Sequence, residues 1–337
     1  MSGKPTIAIF GAGSIGCHLG TRLAPHAEVV LIGRARLGEA IERRGLHATS
    51  FDGADVRVAK QDIAFSTSPE AVRDAALVLV TTKSAATAEA GAALADVLAP
   101  GSVVVSFQNG LRNAAILGDA LPQCRVLAGM VPFNVVQPET GRTHQATSGE
   151  LIVARHAALE PFLPAFAAAG LPLTLHDDMP AVMAGKLLLN LNNAINALSN
   201  VPLKQELETR DWRRCLALAQ AEALRVFSAA GIRPAKVTPL PVRWLPWLMR
   251  LPNGIFKALA KRMLSIDPAA RSSMWEDLEA GRATEVDYLQ GEIVELARAN
   301  GIGAPVNAKL ATLIHAAEKE RREWRAEALL GELRNAS

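Results

Sequence analysis

Aromatic side chains are scarce in this sequence. They make up 4% of the 337 residues, and the formal net charge at pH 7 is only +3. Single-stranded nucleic acids bind to surfaces on which aromatic rings are interleaved with basic side chains. The sequence has neither an aromatic-rich stretch of this kind nor a large excess of positive charge, so we expect no nucleic-acid partner.

Cysteine is also rare. Cys17, Cys124 and Cys215 lie far apart, with no disulfide or metal-ligand spacing, as is typical of a reducing compartment. No apolar run approaches the ~20 residues that a membrane-spanning helix needs, and the N-terminal segment lacks the features of a secretory signal. We therefore expect a cytoplasmic protein with no metal site and no membrane partner.

The apolar pattern divides the chain into two parts. From Lys4 to about Leu175, short runs rich in Val, Ile and Leu alternate with Ala-rich helical stretches, which predicts a parallel sheet with helices on both faces. The predicted strands are TIAIF, EVVLI, ALVLV, SVVVSF and RVLAGMV. Beyond Asp178 the pattern predicts an all-α domain, with helices over about 180–200, 208–230, 271–300 and 305–330. We place the domains at 1–178 and 179–337, because Met179-Pro180 can open a helix.

A glycine-rich loop follows the first predicted strand. Gly11, Gly13 and Gly16 have the spacing G-x-G-x-x-G, and Ser14 and Ile15 begin a predicted helix. Such glycines allow a tight turn and a close approach of the backbone to a pyrophosphate at the helix N-terminus. The position between a first strand and a helix favours a Rossmann dinucleotide site over a purely structural turn.

The residues after the second predicted strand favour NADP over NAD. NAD-binding domains carry an acid there, which accepts a hydrogen bond from the ribose. This chain has Arg34 and Arg36, and the next acid is Glu39. A guanidinium can form paired hydrogen bonds with a 2′-phosphate. The alternative is that Arg34 is a solvated loop charge.

The segment 183–200, MAGKLLLNLNNAINALSN, sets Lys186 and five asparagines in an apolar helix. At about 100° per residue, four of the asparagines share the face of Lys186, and Asn192 does not. Amides can donate to and accept from an oxygen-rich substrate. Our hypothesis is therefore that these asparagines line a polar cleft; the alternative is a solvent-exposed face.

Several motifs resemble those of the ketopantoate reductase family, the NADPH-dependent 2-dehydropantoate 2-reductases. In the first domain the resemblance includes GAGSIG, Arg34, TTK ending at Lys83, and QNG with Asn109. In the second domain it includes GKLLLN, with Lys186 and Asn190, and RSSMWEDLEAGRATEVDYLQGEIVELARANGIGAP, with Ser273 and Glu285. It extends over nearly the whole chain.

The resemblance implies an NADP-binding Rossmann domain, a helical substrate domain and the reduction of ketopantoate to pantoate in pantothenate biosynthesis. Lys186 would be the general acid and Glu285 its partner, with a routine surface carboxylate as the alternative for Glu285. The implied substrate-binding residues are Asn190, Asn193, Ser273 and Asn109, and Ser273 has a helix cap as its alternative. The implied cofactor-binding residues are Gly11, Gly13, Ser14, Ile15, Gly16, Arg34, Lys83 and Asn109, and Lys83 has a loop lysine as its alternative.

Two departures from the family pattern concern the substrate side. The family usually has a second asparagine eight residues after the lysine, where this chain has Ala194; Asn193 is the nearest substitute. The proline-broken segment 237–262 also looks longer than usual. A different, larger 2-oxo acid or carbonyl substrate therefore stays open, as does a non-catalytic NADP-binding regulatory module, although such a module needs neither Lys186 nor Glu285.

The same segment is strongly basic. Between Glu222 and Asp267 there are eight Lys or Arg and no acid. Prolines at 239, 241, 246 and 252 interrupt any long amphipathic helix, so we favour an excursion packed on its own domain over a membrane-surface or acidic-partner role. The helical domain also offers surface for a homodimer, but no interface is identifiable from the sequence.

Overall fold

The computed structural model describes residues 4–236, 240–260 and 270–337. The chain forms two compact units, Met1–Met179 and Pro180–Ser337. Within the described residues, no helix is both long and apolar enough to cross a membrane.

The first unit alternates strands and helices along the chain. Its strands are β1 (Thr6–Phe10), β2 (Glu28–Ile32), β3 (Leu46–Ser50), β4 (Asp55–Val58), β5 (Ala64–Ser66), β6 (Leu77–Val80), β7 (Val103–Ser106), β8 (Arg125–Met130), β9 (Val135–Glu139), β10 (Arg142–Gln145), β11 (Leu151–Ala154) and β12 (Leu173–His176). Its α-helices are α1 (Ser14–Leu23), α2 (Ala35–Arg44), α3 (Thr87–Ala95), α4 (Asn113–Ala120) and α5 (Leu163–Ala168).

Eight of the strands form one sheet in the order β12-β11-β8-β7-β6-β1-β2-β5. All neighbouring strands are parallel except β8 and β11, which are antiparallel. The five predicted strands all lie in this sheet, as β1, β2, β6, β7 and β8. The antiparallel pair was not predicted, because the sequence pattern of a buried strand does not specify its direction.

The sheet is buried on both faces. Ile7 and Ile9 of β1 point into a core shared with α1, α2 and α5, whereas Ala8 points into a second core shared with α3 and α4. This alternation follows from the two-residue period of a strand. The predicted fold class, a parallel-dominated sheet with helices on both faces followed by a helical domain, is confirmed.

A second, four-stranded sheet in the order β4-β3-β10-β9 was not predicted. Its strands are short and rich in polar residues, as in LHATS, DVRV and RTHQ. The sheet covers α1, where His18 is fully buried and its Nδ1 lies 3.2 Å from the Thr143 hydroxyl. Polar strands of this kind carry little hydrophobic signal, so sequence patterning does not detect them.

The second unit is helical throughout its described residues. Its α-helices are α6 (Met179–Asn190, whose first residue closes the first unit), α7 (Asn192–Ser199), α8 (Leu203–Glu208), α9 (Arg210–Ala229), α10 (Leu245–Arg250), α11 (Asn253–Leu259), α12 (Ser273–Glu279), α13 (Gln290–Ala299), α14 (Pro305–Lys319) and α15 (Ala326–Ala336).

Three of the predicted helices are interrupted. The helix predicted over 180–200 breaks at Leu191, and the one over 305–330 is split between α14 and α15. The helix predicted over 271–300 ends at Glu279, and the chain turns at Gly281, whose φ of +60° is a conformation that favours glycine. A helical apolar period therefore predicted the element types correctly, but it did not locate their ends.

Candidate active site

Four parallel strands end at the same level of the large sheet. Phe10 of β1 lies opposite both Ile32 of β2 and Val80 of β6, and Val80 lies opposite Ser106 of β7. The loops that follow these strands therefore emerge at one edge. The chain passes from β1 to β2 on one side and returns to β6 on the other, and such a reversal point is where open α/β sheets bind ligands.

Gly11 and Gly16 pack against the loop after β6. Gly11 has φ +101°, and a Cβ there would lie 2.5 Å from Cγ2 of Thr82. A Cβ at Gly16 would lie 2.5 Å from the Thr81 hydroxyl oxygen, which itself donates a 2.8 Å hydrogen bond to the Gly11 carbonyl. Larger residues are therefore excluded at both positions by the protein itself.

Gly13 differs, because nothing in the protein crowds it. A Cβ there would meet only the Gly11 carbonyl oxygen, at 4.0 Å, and the residue is exposed. The first intrahelical bond of α1 runs from Cys17 to Gly13, so the amides of Ser14, Ile15 and Gly16 precede it and have no intrahelical partner. An open glycine beside free helix amides fits a bound pyrophosphate.

Arg34 begins α2 next to this loop. A Cβ at the preceding Gly33 would lie 3.2 Å from Cβ of Ala12, so the two loops are in contact. Arg34 and Arg36 are both exposed, and the described residues provide neither of their side chains with a hydrogen bond or an ion pair. This arrangement fits a 2′-phosphate, although the assignment of Arg34 to the cofactor stays a prediction.

Lys83 and Asn109 lie on the loops after β6 and β7, and a buried polar network joins these loops. Nε2 of Gln108 donates to the Thr82 carbonyl (3.2 Å), the Thr82 hydroxyl (3.1 Å) and the Thr87 hydroxyl (2.8 Å). Gln108 thus ties the segment carrying Lys83 to the segment carrying Asn109.

Asn113, the first residue of α4, continues the network. Its Nδ2 donates to the Ser84 hydroxyl at 3.1 Å and to the Asn109 carbonyl, and its Oδ1 lies 2.7 Å from the Thr87 hydroxyl. Asn113 is 3% exposed. Gln108, Thr87 and Asn113 were not predicted as site residues, although the polar cluster QNG at a strand end was a signal for Gln108.

In the second unit, Lys186 lies on α6 among buried aliphatic residues. Ala184, Leu187 and Leu188 are at most 2% exposed, and Lys186 itself is partly buried. Burial lowers the pKa of the Lys186 ammonium from 10.5 to about 8. None of the described residues offers this ammonium a hydrogen bond or an ion pair.

Two buried glutamines hold the helix break that follows Lys186. Nε2 of Gln220, from α9, donates to the Leu188 carbonyl (3.1 Å), and Nε2 of Gln290, from α13, donates to the Leu191 carbonyl (2.9 Å). Leu191 separates α6 from α7 with backbone angles of φ −57° and ψ −20°, in the right-handed helical region.

Two of the asparagines have structural roles. Asn196 is fully buried; its Nδ2 donates to Glu206 (2.7 Å), and its Oδ1 accepts from the Ser272 amide (2.8 Å). Asn200 ends α7 with φ +54°, and its Oδ1 accepts from the indole of Trp275 (2.7 Å). Their side chains serve the helical domain, which corrects the hypothesis that they line a cleft. Asn190 and Asn193 are partly exposed, and their substrate roles stay predictions.

Ser273 is exposed at the start of α12, and it is not the helix cap. The cap is Ser272, whose hydroxyl accepts from the Trp275 amide (3.2 Å) and donates to the Asn193 carbonyl (3.2 Å). Since the capping alternative applies to its neighbour, Ser273 keeps a free position beside α7.

Glu285 does not lie in an α-helix, although the helix predicted over 271–300 includes it. It precedes a 3₁₀ turn, Val286–Tyr288, and is partly buried. Gln290, five residues later, ties this segment to α6 through Leu191. No hydrogen bond or ion pair joins Glu285 to Lys186 in the described part of the chain, and their partnership stays a prediction. The same residues contain no cluster of three or more His, Cys, Asp or Glu that could hold a metal.

Two family models match the chain. The model described as "Ketopantoate reductase PanE/ApbA" matches residues 7–158, and the one described as "Ketopantoate reductase PanE/ApbA C terminal" matches residues 178–318. The 2-dehydropantoate 2-reductase of Halobacterium salinarum is 30% identical over 322 residues, which cover 93% of this chain and 99% of the relative.

Solved structures give the same picture. A PanE/ApbA family ketopantoate reductase from Ralstonia eutropha JMP134 is 30% identical, with a TM-score of 0.81, and the match covers 94% of this chain and 99% of that protein. A D-mandelate dehydrogenase, solved with NADH and anilino(oxo)acetate, has a TM-score of 0.78 at 21% identity over 94% of this chain and 99% of its own. At that identity the similarity concerns the fold alone.

The buried carboxyl group of Glu206 accepts from Asn196, which in turn bonds the amide of Ser272 at the start of α12. The titration of Glu206 therefore tests how α12 is held. Burial raises the pKa of Glu206 to about 8 from 4.5, although the amides of Asn196 and Asn192 oppose the shift. The folded protein therefore keeps a proton that the unfolded chain loses above pH 4.5, so this group makes stability fall as pH rises from about 4.5 to about 8. Glu206→Gln keeps the acceptor for Asn196 and cannot ionise.

We expect the Glu206→Gln variant to melt at nearly the wild-type temperature near pH 5 and at a higher temperature near pH 8, by about 2–4 °C per kcal/mol gained. Glu206→Ala removes the acceptor as well and should melt lower at both pH values. Thermal melting followed by circular dichroism measures this; parallel curves for wild type and Glu206→Gln would show that Glu206 does not titrate as described.

The network around Asn113 generates a second test. Asn113→Ala removes its bonds to Ser84, Thr87 and Asn109, and leaving buried polar groups unpaired costs about 1–3 kcal/mol. We expect lower stability and, because the loops carrying Lys83 and Asn109 lose their alignment, NADPH binding weakened about tenfold. Asn300→Ala, which removes a single exposed bond to the Leu296 carbonyl, is the control. A lower melting temperature with an unchanged NADPH Kd would mean that the network is structural only.

Proposed function

Because the chain belongs to the ketopantoate reductase family, we propose that it catalyses the NADPH-dependent reduction of a 2-oxo acid to a 2-hydroxy acid. The proposed substrate is 2-dehydropantoate (ketopantoate), and the product is pantoate. The family makes the protein an oxidoreductase; the substrate and the choice of NADPH are the proposed parts.

The observation that carries the proposal is the position of the Lys186 ammonium among buried aliphatic side chains, which lowers its pKa. When bound, NADPH supplies the hydride that reduces the ketone carbon. Lys186 holds a proton at Nζ and delivers it to the ketone oxygen, which gains negative charge as the reaction proceeds. An ammonium stabilises this charge more in the transition state than in the ketone, and a pKa of about 8 is close to the range in which a general acid works best near neutral pH.

The other predicted residues would bind the substrate and orient the reacting groups. Ser273 would bind the substrate carboxylate with its hydroxyl, and Asn190, Asn193 and Asn109 would bind the remaining oxygen atoms. Glu285 would orient Lys186 or a bound water. Each of these side chains is at least partly exposed, which a group that contacts a substrate requires.

The first unit supplies the cofactor site. The amides of Ser14, Ile15 and Gly16 would hold the pyrophosphate, and the space at Gly13 would admit it. Arg34 would bind the 2′-phosphate, and Lys83 and Asn109 lie on the adjacent loops, at the carboxyl ends of β6 and β7.

Position 194 favours a second candidate, the same reaction on a larger 2-oxo acid. Ala194 is fully buried. Its methyl side chain offers no hydrogen bond where the family usually has an asparagine. Asn193 is the nearest side-chain amide; the Ser272 hydroxyl bonds its main-chain carbonyl and not its side chain. The consequence is a pocket with one polar group fewer on the substrate side.

The decisive test measures NADPH oxidation by the purified protein with ketopantoate and with a panel of larger 2-oxo acids. We expect turnover of ketopantoate, and a kcat lower by about 10²–10⁴ in Lys186→Ala, which lacks the acid. Lys319→Ala, which removes an exposed lysine from the end of α14, should keep full activity. Turnover only of a larger substrate would establish the second candidate, and no turnover of any would favour the binding module.

The same measurement across pH tests the role of Lys186. A general acid must be protonated, and half of the ammonium is lost at a pKa of about 8. The wild-type rate of reduction should therefore fall as pH rises through about 8. A rate that stays constant to pH 10 would mean that Lys186 is not the proton donor.

Arg34 tests the cofactor preference. Arg34→Ala should weaken NADPH binding by about 10–100-fold, the loss of one or two charge-assisted hydrogen bonds, and should leave NADH binding nearly unchanged. Arg43→Ala, on the same helix, controls for the change in net charge. Titration of each cofactor by fluorescence measures the two Kd values, and equal weakening of both would remove the assignment to the 2′-phosphate.

A further inference from the structure

Four large apolar side chains are exposed within sixteen residues of the second unit. Trp244 is 50% exposed, Trp247 55%, Ile255 53% and Leu259 60%. Elsewhere in the described residues, the only other exposed large apolar side chains are those of Phe51 (52%) and Ile302 (36%). Single exposed apolar residues are ordinary, but such a concentration marks an interaction surface.

These side chains are not needed to pack the segment on its domain. The inward side of α10 and α11 is formed by Leu248, Met249 and Phe256, each at most 1% exposed. Arg213, also 1% exposed, donates to the carbonyls of Met249 and Leu251 (3.1 and 2.9 Å). Residues 240–260 are therefore fixed from within, as expected for an excursion packed on its own domain, while their outer side is apolar. Positions 237–239, 261 and 262 of that predicted segment lie outside the described residues.

Arg213 also fixes the orientation of α11 about its own axis. The Arg213 guanidinium lies 4.0 Å from the Phe256 ring centroid and donates to Oδ1 of Asn253 (2.6 Å). With Phe256 directed inward, Ile255 and Leu259, four residues apart, share an exposed face. At the other end of the segment, Trp244 and Trp247 meet edge to face with centroids 6.3 Å apart, so the two indoles form one exposed unit.

The cations of this segment are also exposed. Arg243 and Arg250 are exposed, and the described residues provide no ion pair for either side chain. Lys257 is exposed too, with a carboxylate of Glu208 at 3.6 Å. The 44 residues between Glu222 and Asp267 contain no acid at all, so no carboxylate of the segment itself offsets these charges.

We propose that Arg243, Trp244, Trp247, Arg250, Ile255 and Leu259, here called the tryptophan–arginine surface, dock the protein on an anionic lipid surface. Tryptophan is favoured where one side of a ring is apolar and the other wet, as at lipid headgroups. Arginines beside inserted apolar side chains are attracted to anionic lipids. The interaction is peripheral, consistent with short helices that lie on a surface, and it does not depend on the proposed substrate.

A second copy of the chain fits this surface less well. Side chains of this size, each about half exposed, present roughly 100 Å² apiece, so the four together offer ~400–500 Å² of apolar area. A stable interface buries about 800 Å² per partner. In addition, a two-fold contact of the surface with itself would bring the arginines of both copies into one interface to which the six residues of this surface contribute no carboxylate, and like charges repel.

The first experiment is co-sedimentation of the full-length protein with vesicles. One set contains phosphatidylcholine alone, and the other an equimolar mixture of phosphatidylcholine and phosphatidylglycerol. We expect binding to the anionic vesicles to be stronger by about fivefold for each of the two free arginines, and to weaken as salt is added. Added salt should weaken binding because the distance over which charges interact shortens from ~10 Å at 0.1 M to ~3 Å at 1 M.

Two double variants separate the apolar and charged contributions. Trp244→Ser with Trp247→Ser removes the insertion of indoles, and Arg243→Glu with Arg250→Glu reverses the charge; each should reduce binding to anionic vesicles at least tenfold. Phe51→Ser, which removes an equally exposed ring from the first unit, and Arg43→Glu are the matched controls and should bind as wild type. Melting temperatures check folding, and the arginine pair, being exposed, tests the proposal even if the tryptophan pair unfolds.

Several results would overturn the proposal. Absence of binding to the anionic vesicles would do so, as would equal binding by the arginine pair and wild type, or equal losses in Phe51→Ser and the tryptophan pair. Sedimentation velocity without lipid provides one more: a wild-type dimer that becomes a monomer in the tryptophan variant would assign the surface to a contact between two copies of the chain.

Discussion

The close packing of the β1–α1 loop on the end of β6 is the contact on which the first unit depends. Thr81 and Thr82 occupy the space that side chains at Gly16 and Gly11 would need, and Thr81 donates to the Gly11 carbonyl. This contact sets the start of α1, and with it the direction of the helix amides. Because Gln108 bonds Thr82 on its other side, the loops after β1, β6 and β7 form one connected edge. A change in any one of the three would therefore displace the others.

The second unit uses buried amides in a comparable way. Gln220 and Gln290 bond the main chain around the break at Leu191, and Asn196 joins Glu206 to the start of α12. The bonds donated by these amides favour one arrangement of the helices, while the Oε1 atoms of Gln220 and Gln290 are buried without a partner among the described residues. Here the arrangement keeps the segments of Ser273 and Glu285 attached to the helix pair that carries Lys186. Some polar residues that look functional in the sequence, such as Asn196, thus support the segments that carry the predicted site residues.

The sequence predicted the parts of the structure that repeat and missed the parts that are set by single contacts. Runs such as VVVS and LVLV are apolar on both faces, so the central strands and the fold class could be predicted. The strand RTHQ of the small sheet has no such pattern. The glycine loop was identified because its chemistry is local, whereas Asn113 acts through partners 4, 26 and 29 residues away. A helical wheel also could not distinguish Asn196, which faces other helices, from an asparagine that faces a ligand.

The environment of Lys186 bears on how Glu285 acts. Burial among aliphatic side chains lowers the pKa of the ammonium to about 8, and a carboxylate in direct contact would raise it again by favouring the charged form. A Lys186 ammonium that gives up its proton readily near neutral pH and a permanent ion pair with a carboxylate are therefore opposing requirements. In the proposed reaction Glu285 would therefore act on the substrate or through a bound water.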